Sequence, residues 1–308
     1  MSLFGFNRPT GISWSVSASG PGGTGAAIIS PVGAGGTFNL DDGRPDTTAR
    51  FQWPTGGSQG TTTQMKIRAD WTTPQFEPRI IGLSNISLPA GTKVQVAFRR
   101  AADTLGTYPF VPTMYNNAQR IFQLPRGERV CWIFLAAGAA GSTILGVEIS
   151  IFNDVNGASS IAPGTLFNIG EAVCAPGADF DIKAGWSLTP FDPTMDNFDV
   201  YSNPIPEPGV PYRIFRFQFP VDAQTVYFGD ASNPTAIDYE ELIAFLDRGQ
   251  FGIYAPRYFN TAGAFDAQAA QRFTFIGRMK TLPSWDQASA SWFQNQSGAV
   301  VQEAPIPV

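Results

Sequence analysis

Short alternating segments, closed off every few residues by glycine, proline or asparagine, constrain this chain more than any other feature. In "TKVQVAF" (92–98), Val94, Val96 and Phe98 share one parity, while Lys93, Gln95 and Ala97 share the other. A period of two puts successive side chains on opposite faces of an extended strand, so one face is buried and the other wetter. "ILGVEISIF" (144–152) repeats the pattern, with Val147, Ile149 and Ile151 set against Glu148 and Ser150. Comparable segments predict strands at 49–54, 64–71, 79–86, 119–125 and 128–136, and no helical periodicity interrupts them. The most apolar run, "VCWIFLAAGAAGSTILGV" (130–147), is divided by glycines into two buried strands and a turn, not a membrane span. Composition agrees, because 25 Phe and 7 Trp favour strands while 32 Gly and 25 Pro favour turns. Strands at this spacing predict a β-sandwich or jelly roll.

Residues 1–36, with "SASGPGGTGAAIISPVGAGG", predict an extended N-terminal arm carrying a first strand near "ISWSVSA". The alternating region occupies 37–157, and "ASSIAPGT" marks a boundary. Residues 158–290 change character and predict a small α+β domain with one helix on a sheet. Strands are expected at 167–174, 211–219, 250–256 and 272–282. The helix is expected at 236–249, where Tyr239, Leu242, Ile243 and Leu246 recur at helical spacing. Asp238, Glu240 and Glu241 fall in its first turn and Gly249 at its C-terminal cap. Residues 291–308 are expected to form an extended C-terminal tail. The fold class is therefore mainly β, an N-terminal sandwich followed by the α+β domain.

The order "FNLDDGRPDTTARFQW" (38–53), "RIIGLSNISLPAGTKVQVAF" (79–98), then "RVCWIFL" and "ILGVEISIF" resembles the discoidin-like, galactose-binding-like jelly roll. Arg50-Phe51 departs from that pattern, in which a Trp often follows the Thr. The later segments "IGEAVCAPGADFDIKAGWSLTPFDP", "YRIFRFQF" and "RFTFIGRMKTLP" resemble a minor structural protein of long-tailed bacteriophage tails or baseplates. The resemblance implies a virion part made in the host cytoplasm, whose partners are other tail proteins in a ring-like homo-oligomer or heteromeric assembly. It also implies contact with host-surface glycans as an alternative role.

The net charge is −5 and Lys and Arg never run in blocks, which argues against a nucleic-acid partner. "MSLFGFNRPTGISW" lacks the basic and apolar regions of a secretory signal. Cys131 and Cys174 are too few for a disulfide framework, and Cys131, beside Trp132 in the buried run, is expected as a reduced core thiol. With no histidine, Ser-His-Asp, Cys-His and most zinc chemistry drop out, and no phosphate-binding glycine motif is present. The chain is expected not to be an enzyme and to need no cofactor. Asp179, Asp181, Asp192, Asp196 and Asp199 are the carboxylates a glycosidase would draw on, against an ordinary role in turns. Asp41, Asp42 and Asp46, in a Gly/Pro-constrained loop, are candidate ligands of a structural calcium, although "DDGRPD" lacks EF-hand spacing. Trp71, Phe76, Tyr108, Phe110 and Tyr115 lie in or near loops, with Asn116, Asn117 and Arg120 beside Tyr115. Rings with neighbouring polar groups suit either sugar stacking or a subunit interface. A charged fraction of only 15% favours the interface.

Overall fold

The computed structural model describes residues 2–5, 13–21, 23–30, 40, 48–73, 77–116, 119–136, 138–141, 143–157, 161–180, 182, 185–193, 195–198, 204–207, 210–218, 222–223, 251–282, 285–289, 292–295 and 298–304. Among them the protein is mainly β, with three larger antiparallel sheets and a single short helix. The helix expected at 236–249 lies outside the described residues. Two compact units are interleaved along the chain. One comprises Met1–Phe6, Ala178–Tyr258 and Phe273–Val308, the other Asn7–Gly177 and Phe259–Arg272.

In the second of these units, strands numbered in chain order form two sheets. The four-stranded sheet runs β2 (Ser13–Ser19), β5 (Gln64–Asp70), β10 (Ile144–Val155), β7 (Thr92–Arg100). The six-stranded sheet runs β3 (Ala27–Ser30), β4 (Ala49–Gln52), β11 (Leu166–Ala175), β6 (Ile80–Ile86), β9 (Arg129–Phe134), β8 (Phe122–Gln123). The apolar parity of each strand builds one shared core. Met65, Ile67, Val96 and Ile149 enter it from one sheet, and Phe51, Leu83, Ile133 and Phe167 from the other. Register aligns them in rows, so that Val16 lies opposite Ile67, Ile67 opposite Ile149, and Ile149 opposite Val96. Each large side chain buried this way contributes about 1.5–3 kcal/mol before ordering entropy is counted.

β6, β9 and β11 are buried on both faces, which is why their sequences are almost uncharged. Between them Gly82 lies opposite Trp132, and a Cβ on Gly82 would stand 2.2 Å from the indole Cε3. The glycine is required by the ring that covers it. Cys131 and Cys174 sit in this region, both buried and both free thiols.

The other unit centres on a seven-stranded sheet in the order β12 (Gly177–Phe180), β1 (Ser2–Gly5), β18 (Phe251–Ala255), β19 (Phe275–Thr281), β22 (Ala299–Glu303), β16 (Tyr212–Phe217), β13 (Ser187–Phe191). Smaller pairings join β14 (Met195–Phe198) to β15 (Pro204–Glu207), and β17 (Asp222–Ala223) to β21 (Trp292–Asn295) and β20 (Trp285–Ser289). Residues 291–308, expected as a tail, thus supply an interior strand: Ala299, Val301 and Glu303 of β22 are buried. Phe215 stacks on Phe217 at 4.6 Å and Tyr254 on Phe275 at 5.6 Å. The buried Glu303 carboxylate accepts from the Arg213 backbone N–H at 2.8 Å and from its Nε at 2.9 Å, locking β22 to β16.

The described helix, α1 (Ala267–Phe273), falls where the expected strand 272–282 begins; that strand starts only at Phe275. Asp266 caps α1, its Oδ1 accepting from the Ala269 N–H at 2.9 Å.

Candidate functional site: a polar cavity on the four-stranded sheet

The same register that aligns the core aligns the opposite parity on the outer face. Arg68 lies opposite Glu148, which lies opposite Ala97; one row on, Lys66 lies opposite Ser150, which lies opposite Gln95. Gln64 then lies opposite Phe152, and the Lys93 ammonium sits 4.9 Å from that ring's centroid. These rows make a polar floor. Its centre is Glu148, only 6% exposed although it points away from the core. Glu148 Oε1 accepts from Lys66 Nζ at 2.9 Å and from Ser150 Oγ at 3.2 Å, while Oε2 accepts from Arg68 Nε at 2.7 Å. A carboxylate so placed stays buried because two cations and a hydroxyl replace its water.

The wall comes from the chain after β7. Phe110 pairs with Phe98 on the free edge of β7, exchanging hydrogen bonds of 2.7 and 3.2 Å. The segment then leaves that edge and returns at Gln119, whose carbonyl accepts from the Val94 N–H at 2.9 Å. In between it reaches the other sheet, the Tyr115 N–H donating to the Phe134 carbonyl at 3.0 Å. Floor and wall enclose a cavity of about 800 Å³. Lys66, Lys93, Arg120 and Glu148 are the charged residues that line it, beside Gln95 and Gln119. Three cations face one carboxylate, in a chain whose net charge is −5.

The residues singled out from sequence have several fates. Trp71 is 2% exposed, and its Nε1 donates to the Ile144 carbonyl at 3.0 Å, so its ring is core rather than a surface platform. Tyr108 is half-buried and donates its hydroxyl to Asp70, which also accepts from Arg99 Nε at 2.8 Å. Burial first, and then the bond to Asp70, push the Tyr108 phenol above its ordinary range. Phe110 is half-buried beneath the Arg100 guanidinium, 4.6 Å from its centroid. Tyr115 packs edge-on against Phe259 at 5.1 Å and stacks on Phe265 at 5.8 Å. Asn116 is buried, its Nδ2 donating to the Trp132 carbonyl at 3.1 Å and its Oδ1 accepting from the Phe134 N–H at 3.3 Å. Arg120 donates from NH1 to the Gly91 carbonyl at 2.7 Å and lies 4.0 Å from Asp154. The cavity brings together Asn116 and Arg120 and leaves Trp71, Tyr108 and Tyr115 out of its lining.

Asp41, Asp42, Asp46, Phe76, Asn117, Asp181 and Asp199 lie outside the described residues. Asp179 is exposed and accepts from the Tyr258 hydroxyl, Asp192 is exposed, and Asp196 belongs to β14. Among the described residues, no group of three or more His, Cys, Asp or Glu is placed to hold a metal, and no helix is long and apolar enough to cross a membrane. Lys66, Lys93, Gln95, Glu148, Ser150 and Phe152 were not foreseen as a site. Their signal was the polar half of the strand alternation, which acquires meaning only once the strands are in register. No protein-family model, no curated protein and no solved structure matches this chain.

Proposed function

We propose that the protein is a non-enzymatic structural component of a bacteriophage virion, in the distal tail or baseplate, with its sandwich unit a galactose-binding-like jelly roll. The chain crosses repeatedly between the two sheets from β5 to β11, as jelly-roll connectivity requires, which supports the second part of that reading. The observation that carries the first is the loop after β7. It is braced by the Phe110–Phe98 pairing, by the Tyr108–Asp70 bond and by Asp103, whose Oδ2 accepts from the Arg100 N–H at 2.8 Å. Yet it presents Leu105 at 76% and Val111 at 65% exposure. A braced loop holding apolar side chains in water fits a subunit contact, since the bracing lowers the backbone ordering entropy to be lost on docking. Sedimentation of the isolated protein across a concentration series tests this. Rings or higher oligomers, dispersed by Leu105→Asp with Val111→Asp, are expected; a monomer at every concentration overturns the reading.

A second reading, recognition of a host-surface glycan, is favoured by the cavity alone. A concave site rich in amides and charged groups suits a polyhydroxylated ligand. Tyr115 is held by Phe259 and Phe265, so the test of this reading belongs on cavity residues such as Gln95.

A further inference from the structure

We infer that the cavity on the four-stranded sheet takes a carboxylated saccharide, of the uronic-acid class, with the sugar carboxylate at Lys93. The inference rests on the glycan reading above and narrows its ligand. Charge comes first. Both oxygens of Glu148 are already engaged by Lys66 and Arg68, so the one lining carboxylate is spent. Lys93 has no carboxylate partner among the described residues and faces the cavity across Phe152. A cleft with excess positive charge concentrates anions at that point even on an acidic protein.

Hydrogen bonding narrows the class further. Gln119 stands in the wall, its Nε2 donating to the Asn116 carbonyl at 3.1 Å, and Gln95 stands exposed on the floor. The exposed Gln95 amide both donates and accepts, and a sugar's hydroxyls match both while its carboxylate meets Lys93, whereas a sulfate has no hydroxyl to offer the amide oxygen. An extended acidic peptide fits less well. Peptides of that kind draw affinity from a free strand edge, and the edge of β7 is taken by Phe110 and by Gln119.

Titration calorimetry of the full chain with tetragalacturonate, galactotetraose and a tetraglutamate peptide tests the inference, at low and high salt. Tetragalacturonate alone should bind, at least tenfold more weakly in high salt and in Lys93→Gln, with Lys93→Arg restoring most of the affinity. Gln95→Ala, on the exposed floor, should weaken binding severalfold while leaving the melting temperature unchanged. Equal binding of galactotetraose, unaffected by Lys93→Gln, would overturn the acidic-ligand assignment and leave the glycan reading standing. Binding of neither sugar would overturn both. Tetraglutamate binding as tightly as tetragalacturonate would overturn the saccharide assignment.

Discussion

Gln271 clasps Trp132 across 139 positions of sequence, accepting the Trp132 N–H at Oε1 (2.8 Å) and donating from Nε2 to the Trp132 carbonyl. One side-chain amide thereby does what a residue of a neighbouring strand would do. β8 covers the outer edge of β9 only at Arg129 and Val130; beyond it, Gln271, Asn116 and the Tyr115 backbone take over. An apolar strand whose edge is filled in this way offers no template for another chain.

Gln271→Leu keeps the volume and removes the clasp. The Trp132 N–H is left buried without a partner, while its carbonyl keeps Asn116. A loss of about 2 kcal/mol in unfolding free energy is expected. Urea unfolding followed by far-ultraviolet dichroism measures it, and an unchanged midpoint would refute the role given to the clasp.

Gly82→Ala places a methyl group against the Trp132 ring, 2.2 Å from Cε3. Neither partner has room to move, since Trp132 is 1% exposed. About 1–3 kcal/mol of overpacking strain is expected. The tryptophan emission spectrum of the folded variant should shift with it, whereas Gln95→Ala should leave that spectrum as it was.

Glu148→Gln leaves Lys66 and Arg68 facing each other with no negative charge between them. Complete burial would make this severe, but the two cations keep side-chain exposures of 21% and 24%. A loss of about 1–2 kcal/mol is expected, partly recovered by added salt, which screens the residual repulsion. Paired denaturation curves at low and high ionic strength give both quantities.

Burial pushes the Cys131 thiol up from an ordinary 9.0 to about 12, and Cys174 moves in the same direction for the same reason. The folded state therefore holds these protons after the unfolded state has released them. The stability Cys131 contributes is fully present below pH 9.0 and is lost as pH rises through about 12. At pH 8 iodoacetamide should label neither thiol in the folded protein and both in urea, because the thiolate is the nucleophile. Rapid labelling without denaturant would contradict the buried placement.

Much of the β architecture was legible locally, because parity is a property of a few adjacent residues. "TKVQVAF" and "ILGVEISIF" each show which side chains go inward, and both strands are found, as β7 and β10. The seven-residue α1 was not legible: "AQAAQRF" is too short for a helical period to declare itself, and only Asp266 and the alanines hint at it. "AVVQE" looked like tail because prolines and a glycine surround it, yet its alternation suits the strand it forms. Trp71 follows the last residue of β5, and whether a ring at a strand end turns in or out depends on distant partners, here the Ile144 carbonyl. The cavity was the least legible part. Lys66 meets Glu148 over 82 positions, and no local rule announces a pairing that only register creates.

The interleaving of the two units dictates an order of assembly. Leu3 pairs with Ala255, and β22 pairs with both β16 and β19. On the ribosome, β1 can therefore meet β12 once residues 177–180 have emerged but gains its other neighbour only when residue 255 has, and the seven-stranded sheet is incomplete until residues 299–303 follow. The four- and six-stranded sheets need nothing beyond Ala175 to pair their strands. They can form first, while β1 and β16 of the other sheet each keep an unpaired edge until β18 and β22 emerge, so that sheet carries exposed strand edge through much of synthesis.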